Sequence, residues 1–486
     1  MTALTEPTPE HLAEFAGCLD PGGLLDAAAD AAQPYLTEPR GLMRGRAAAI
    51  LKPASTAQVA AILRLCHRHR IGVVPYGGGT GLVGGQVCPE GSPAGPRPVV
   101  LSLERMNRIR AVLPDDGAII AEAGVILADL QAAALGAGRL FPLSLAAEGS
   151  CRIGGNLATN AGGVAVLRYG TARDLCLGLE AVLADGSVLE GLKPVRKDNT
   201  GYDLRHLLIG SEGTLGVITA ASLKLFPQPG ETVTAMLAVP SPDAALSLLQ
   251  TLRERLGDGV SAFELIAGQG IAFLAGFYPS RPDPLTGRPD WRVLVEITGP
   301  PPDPSGVGGL TGRAEALLAE LLEAGLASDG VVAASAAQRA HMWWMRETLP
   351  ECNRRVGAVT SHDIALPPSR IGRFIAEASG IVAGFGASLR INCFGHLGDG
   401  NLHYNVFPPE GARVADWRAL AGPVRTAIHD LVDAQGGSIS AEHGIGRMKI
   451  AELEKYADRT KLAAMRAIKA ALDPRGILNP GAVVAG

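Results

Sequence analysis

Aromatic residues make up only 4% of this 486-residue chain, its seven cysteines include no C-x-x-C pair, and no apolar run approaches the length of a membrane span. Each shortage excludes something. The cysteines, at positions 18, 66, 88, 151, 176, 352 and 393, are odd in number and scattered, which argues for a reduced protein and against a disulfide scaffold or zinc ribbon. A net charge of -4 gives no basic field, so nucleic acid is disfavoured as a partner. Without about 18 consecutive apolar residues, no transmembrane segment is expected. The first twenty residues carry Glu6, Glu10, Glu14 and Asp20 with no basic start and no apolar core, so they do not read as a signal peptide. Together these features predict a cytoplasmic protein, peripheral at a membrane at most through a partner. What the chain does have is 62 glycines, 34 prolines and 47% hydrophobic residues, the composition of a loop-rich α/β enzyme of two to three domains with room for an internal cofactor.

Residues 7–36 read as short Ala-rich helices forming a packing arm. A strand over 47–51, a helix opened by Ser55 or Thr56 and running to about Arg70, and a strand over 71–75 make a β-α-β unit. There follows a glycine-rich loop, Tyr76 to Gly85, whose backbone N–H groups suit a pyrophosphate. It holds a formal G-x-G-x-x-G at Gly79, Gly81 and Gly84, with Glu104 further on. A dinucleotide fingerprint of the nicotinamide type needs a helix opening at the glycines, and Cys88 to Pro98, with four prolines, excludes one. Two further glycine clusters, Ile153–Gly163 and Gly210–Thr219, bracket a hairpin turning at Asp185-Gly186. Three such clusters point to a long ligand with phosphates and a polar ring. Beyond Phe226–Gly230 the clusters stop, and 232–239, 244–256, 291–297 and 314–325 alternate strand and helix as a separate α+β domain, with Pro/Gly-rich loops at 281–289 and 299–309. The tail, 450–472, reads as one amphipathic helix.

The most chemically loaded stretch is Arg390 to Val406, R-I-N-C-F-G-H-L-G-D-G-N-L-H-Y-N-V, read as strand, tight loop and strand, with the loop presenting its side chains. His396 and His403 would face opposite ways on one continuous strand, but a glycine-bent loop brings both to one point, and His403 shares a face with Asn405. Ser440-Ala441-Glu442-His443-Gly444-Ile445-Gly446 then sets a carboxylate beside an imidazole. Two histidines and a carboxylate suit a divalent metal that polarises a substrate oxygen, leaving His443 free to take a proton; the alternative is polar loop residues that satisfy backbone groups.

The three glycine clusters in this order, followed by G-H-L-G-D-G-N-L-H-Y-N, A-E-H-G-I-G and a terminal I-L-N-P-G, resemble the flavin-dependent D-2-hydroxy-acid dehydrogenases, the D-lactate, glycolate and D-2-hydroxyglutarate group of the vanillyl-alcohol-oxidase-type flavoproteins. The likeness runs from about Leu42 to Val483. It implies an α+β fold in which, after the helical arm (1–40), there follow a two-subdomain FAD-binding domain (41–226), an antiparallel-sheet cap domain (227–430) and a C-terminal helical segment returning to the FAD domain (431–486). Carried over by motif, Pro75, Gly77, Gly78, Gly79, Thr80 and Gly81 form the pyrophosphate loop. Gly154, Gly155, Asn156, Thr159, Asn160, Gly162 and Gly163 run along the isoalloxazine and ribityl, Glu212, Gly213 and Ile218 lie near the adenine end, and Asn479 near the ring. No histidine stands in Tyr76–Gly85, so the FAD is expected to be non-covalent.

The same resemblance makes His396, His403 and Glu442 ligands of a divalent metal, zinc ahead of manganese or iron. Arg346, Asn405, His396 and His443 become substrate contacts, and His443 the general base. Arg346 otherwise reads as a helix-surface arginine. The implied partners are a small 2-hydroxy acid and an external acceptor, a quinone, cytochrome or electron-transfer flavoprotein, with a homodimer as the assembly. The chain departs from the hydroxyglutarate-type pattern in two places: Ser361 stands where a lysine is expected, and Pro350 where a threonine is expected. Fewer groups then hold a second carboxylate, which tilts the reading toward a D-lactate-like acid unless Arg354, Arg355 or His362 compensates. The other readings are a D-2-hydroxyglutarate dehydrogenase, a flavin oxidase using oxygen, a glycolate-oxidase subunit, and a non-redox alkyl-dihydroxyacetone-phosphate synthase-like enzyme.

Overall fold

The computed structural model describes residues 3–89, 95–301 and 309–484 and separates into two compact units. Parts of the two Pro-rich stretches, residues 90–94 and 302–308, lie outside the described residues. The first unit gathers Met1–Gly162, Gly170–Gln228 and Glu442–Gly486; the second holds Gly163–Tyr169 and Pro229–Ala441.

The first unit contains a four-stranded sheet in the order Leu24–Asp26, Ala49–Leu51, Val99–Ser102, Val73–Tyr76. The last three are parallel, and the first pairs antiparallel with its neighbour. Helix Thr56–His69 links Ala49–Leu51 to Val73–Tyr76. Ser55 caps it, its Oγ accepting from the Gln58 N–H at 3.3 Å, and Arg70 ends it with φ of 56°. Its buried face, Val59, Ile62, Leu63 and Cys66, joins a core with Leu101, Ile477 and Leu478. The chain's last segment completes this layer: Val73 N–H donates to Ile477 O at 2.8 Å and Asn479 N–H to Val73 O at 2.7 Å. A second, five-stranded antiparallel sheet runs Ile109–Leu113, Ala118–Glu122, Val217–Lys224, Cys176–Val182, Val188–Gly191, and its expected hairpin turns at Gly186 with φ of 81°.

Two local expectations change. The N-terminal arm is not helical throughout: after helix Pro9–Gly17, Leu24–Asp26 becomes an edge strand because its backbone finds partners in Ala49–Leu51. The tail is two helices, Ile450–Tyr456 and Arg459–Leu472, because Asp458 caps the second by accepting from the Lys461 N–H at 2.9 Å.

The second unit is built on a seven-stranded sheet in the order Asp329–Val332, Glu231–Val239, Trp291–Gly299, Val260–Ala267, Arg390–His396, Asn401–Phe407, Thr360–Ala365, each neighbouring pair antiparallel. Strand Val260–Ala267 is buried along its whole length, so both faces of the sheet are covered. Helices Gly268–Phe277 and Ala336–Val356 close a core around Met236, Ile266, Leu294, Phe394 and Phe407. The unit extends through Ala441 because helix Ala421–Ala434 packs on Ile371–Phe385 and on Thr360–Ala365, and Ser438 and Ala365 then exchange backbone hydrogen bonds at 2.7 and 2.9 Å.

Candidate active site

The glycine loop after Val73–Tyr76 has no helix at its glycines, as the sequence requires, and forms one wall of a cavity in the first unit. Pro75, Gly77–Gly81, Gly154, Gly155, Asn156, Thr159, Glu212, Gly213, Ile218 and Asn479 line it, joined by His443. The glycines are needed sterically. A Cβ on Gly78 would collide with the Ser150 carbonyl oxygen, and one on Gly79, where φ is 73°, with the Tyr76 hydroxyl. A Cβ on Gly77 would come within 3.1 Å of Gly155 Cα, and one on Gly154 within 2.5 Å of Ala123 Cβ. The glycine loop therefore packs backbone on backbone against helix Ile153–Ala158, and Arg152 adds a cation to the lining. Such a cradle fits the phosphates of a dinucleotide.

Glu212 and Asn479 do more than line the wall. Glu212, with φ of 51°, accepts from the N–H groups of Ile445 and Gly446, each at 2.8 Å, and so anchors the turn that carries His443. Its carboxyl is pushed above the usual carboxylate range by burial, which outweighs those two hydrogen bonds and the nearby Arg447. A Cβ on Gly444 would meet Glu212 Oε1 at 2.6 Å, and one on Gly446 would collide with Val83 O, so the glycines of A-E-H-G-I-G let the turn close on the loop. Asn479, also left-handed at φ of 42°, donates to Gly85 O at 3.0 Å and Glu212 O at 2.8 Å and accepts from Arg447 at 2.8 Å. Arg447 reaches Gly84 O and Gly85 O as well, which makes it the clasp between the tail and the loop.

In the second unit the hairpin Arg390–His396/Asn401–Phe407 explains how histidines seven apart share a face. Phe394 pairs with His403, so His396, two residues on from Phe394, lies diagonal to His403 on the same side, with ring centroids 6.0 Å apart. The turn is short, Leu397–Gly400, and His396 is a buried strand residue, 6% exposed, so the side chain comes from the strand and not from a loop. The register extends the row in both directions: Glu264 pairs with His396 and Asp363 with His403. Glu264 is fully buried and accepts from His396 Nδ1 at 2.5 Å and from Arg346 Nε at 2.6 Å. Burial alone would raise its carboxyl, but the charges of Arg346 and then His396 hold it at about 2. The Arg346 guanidinium also lies over the Phe394 ring at 4.9 Å, and its two Nη groups have no hydrogen-bond partner among the described residues.

Asn405 pairs with Asn392 and Ser361 and donates to the backbone at Asn392 O and His403 O. The same sheet edge sets the end of the unit: Ala441 N–H donates to Asp363 O at 3.3 Å, beside His403, so the next residue along the chain, Glu442, starts from a fixed point. His396, His403 and Glu442 each offer one ligand atom, all within 4.8 Å of one another. Two imidazoles and a carboxylate at that spacing fit a divalent cation of the zinc or manganese type.

Of the residues expected near the cofactor, Asn160, Gly162 and Gly163 are not in the cavity lining among the described residues. Asn160 instead takes φ of 50° and accepts from the Arg173 N–H at 3.0 Å, while Gly163 belongs to the second unit. Sequence reasoning missed Glu264, Arg447 and Arg152. A lone carboxylate in the apolar strand V-S-A-F-E-L-I-A was the available signal for Glu264; an arginine directly after A-E-H-G-I-G was the signal for Arg447.

Both parts of the chain resemble known proteins. The profile of the FAD binding domain matches residues 47–191, and that of the FAD linked oxidases, C-terminal domain, matches residues 228–483. The chain is 39% identical over 441 residues to the mitochondrial D-2-hydroxyglutarate dehydrogenase of Bos taurus, covering 90% of this chain and 77% of that one. It is 36% identical to the D-2-hydroxyglutarate dehydrogenase of Xanthomonas citri pv. viticola, covering 89% and 88%, and 36% identical to a putative mitochondrial D-lactate dehydrogenase of Schizosaccharomyces pombe, covering 90% and 82%. Among solved structures, p-cresol methylhydroxylase superposes with a TM-score of 0.74 at 16% identity, covering 99% of this chain and 98% of that one. Alkyldihydroxyacetonephosphate synthase superposes at 0.72 and 18%, covering 99% and 86%.

The expected cytoplasmic location does not stand, since the Bos taurus, Arabidopsis thaliana and Schizosaccharomyces pombe relatives are mitochondrial proteins by name. That expectation rested on reduced cysteines and an acidic start, and a reducing environment does not specify a compartment. No helix among the described residues is long and apolar enough to cross a membrane. The fold is that of the vanillyl-alcohol-oxidase-type flavoproteins, the cofactor is FAD, and the chain belongs to the FAD-linked D-2-hydroxy-acid dehydrogenases.

Proposed function

We propose that the enzyme oxidises a D-2-hydroxy monocarboxylate of the D-lactate type to its 2-oxo acid, with His443 as the general base and a divalent cation held by His396, His403 and Glu442. The observation that carries this reading is Arg346, fixed through Nε by Glu264 with its Nη groups left for a ligand, on the sheet face that also bears both histidines. A guanidinium held this way binds the substrate carboxylate bidentately. Asn405 flanks the bound acid. Glu442 and His443 are chain neighbours, so the residue that follows a cation ligand is the imidazole lining the cofactor cavity. His443 removes the hydroxyl proton, and the C2–H bond breaks with its electron pair leaving carbon, so the product is the 2-oxo acid. When bound, FAD supplies the acceptor for that hydride, and the cation supplies a Lewis acid for the hydroxyl. Electrons then pass to an external quinone, cytochrome or electron-transfer flavoprotein.

The preference for one carboxylate rests on Ser361. It pairs with Asn405 on the site's face and offers a short hydroxyl in place of a cation. Two of the three compensating groups are engaged elsewhere. His362 alternates to the other face, where it pairs with Tyr404 and packs on His429 at 5.2 Å, and Arg355 lies over the Phe277 ring at 4.0 Å. The second reading, D-2-hydroxyglutarate, is favoured by the names of most relatives reported above. Steady-state kcat/KM with an artificial acceptor separates the two. The proposal expects D-lactate to exceed D-2-hydroxyglutarate, and Ser361→Lys to shift the ratio toward the dicarboxylate. A wild-type preference for D-2-hydroxyglutarate contradicts it.

A further inference from the structure

Strand Val260–Ala267 is apolar except for Ser261 and Glu264, and Glu264 has no exposed surface. A carboxylate in such a place is retained against a large desolvation cost, and when ion pairs of this kind serve stability alone, apolar replacements of similar volume do as well. Both of its partners are donors. His396 Nδ1 stands 2.5 Å from one carboxylate oxygen and Arg346 Nε 2.6 Å from the other. One acceptor fixes the His396 tautomer with its proton on Nδ1, so that Nε2 is the ring nitrogen with ligand character. The other holds the guanidinium by its Nε edge and leaves the Nη edge for a ligand.

We propose that Glu264 is a positioning residue that joins the cation-binding histidine and the substrate-binding arginine into one hydrogen-bonded unit, so that affinity for the cation and affinity for the substrate carboxylate depend on the same side chain. This rests on the reading of His396 and Arg346 given above. The chemistry specifies the side chain closely. Two donors converge, so the site requires two acceptor oxygens. Glutamine supplies one and turns an amide N–H2 toward the other donor, whereas aspartate supplies both on a stem shorter by one methylene.

The test compares wild type, Glu264→Gln and Glu264→Asp for flavin content, zinc and manganese affinity after chelator dialysis, KM and kcat for the best 2-hydroxy acid, and melting temperature. Glu264→Gln is expected to keep its flavin, to lose cation affinity by about 10–100-fold and to raise KM by about tenfold or more. Glu264→Asp is expected to recover part of both losses together. A Gln variant that melts earlier yet keeps wild-type cation affinity and KM overturns the proposal, as does a variant in which one affinity falls and the other does not. If the Gln variant fails to fold, the Asp variant decides: parallel, smaller losses in both affinities support the coupling, and two unchanged affinities reject it. A wild-type enzyme that reduces its flavin with a 2-hydroxy acid but takes up no divalent cation removes the premise, and this is visible before any variant is made.

Discussion

Glu212 in the first unit and Glu264 in the second are both glutamates withdrawn from bulk water, and their carboxyls move in opposite directions. Glu212 meets two backbone N–H groups and is raised; Glu264 meets a guanidinium and an imidazole and is lowered to about 2. The difference follows the construction of the two regions. The cradle is made mostly of backbone, with glycines that admit close approach and few formal charges, so it offers dipoles to an anionic cofactor. The sheet face is made of ionisable side chains set in register, so it presents charges of both signs close together. A cradle of dipoles holds; a row of charges is suited to reaction.

If that division is right, damage to one region should leave the other's signature intact. The largest effect is expected from His443→Ala, which should retain flavin while turnover falls by about 10²–10⁴-fold; a variant near wild-type rate removes His443 from the mechanism. Gly78→Val should do the reverse. Its side chain would collide with Ser150 O, so the flavin-to-protein absorbance ratio should drop well below that of wild type, with zinc or manganese uptake unchanged. The pH dependence of unfolding sharpens the comparison further. Because Glu212 is raised when folded, its contribution to stability is full below the unfolded value near 4.5 and is lost as pH rises through its folded value. Urea unfolding of the apo form across that window should show a fall with pH that Glu212→Gln flattens; parallel curves would assign the buried proton elsewhere. Smallest of all, Asp458→Ala removes one helix cap, at about 1 kcal/mol. Chemical denaturation should register the loss while flavin content and turnover hold.

The parts legible in the sequence were those set by local rules. Ser55 and the apolar spacing of Val59, Ile62 and Leu63 announced their helix, and the glycine clusters announced a cradle because left-handed φ and close backbone approach leave few other residues. His396, His403 and Glu442 stand out by residue type and glycine spacing and Arg346 only by motif resemblance, while register supplies the reason that the two histidines share a face. What stayed hidden depended on distant partners. Glu264 lies 132 residues from His396 along the chain, and nothing near it in sequence reports that contact. Asn160 looked like a cofactor contact because it sits in a glycine cluster, yet its side chain caps Arg173, which is an equally good use of a left-handed asparagine. Periodicity carries the expected tail helix across Asp458, where the backbone ends one helix and starts another.

On the mechanism proposed above, a D-2-hydroxy acid delivers its electrons to the bound FAD with the help of a cation at His396, His403 and Glu442. The direct test is an anaerobic visible spectrum of the holoenzyme on addition of D-lactate, L-lactate and D-2-hydroxyglutarate, before and after chelator treatment and again after zinc or manganese is restored. Bleaching of the oxidised flavin band is expected with a D-acid but not with L-lactate, lost on chelation and regained with the cation. Bleaching that survives complete removal of divalent cations, with flavin still bound, would contradict it.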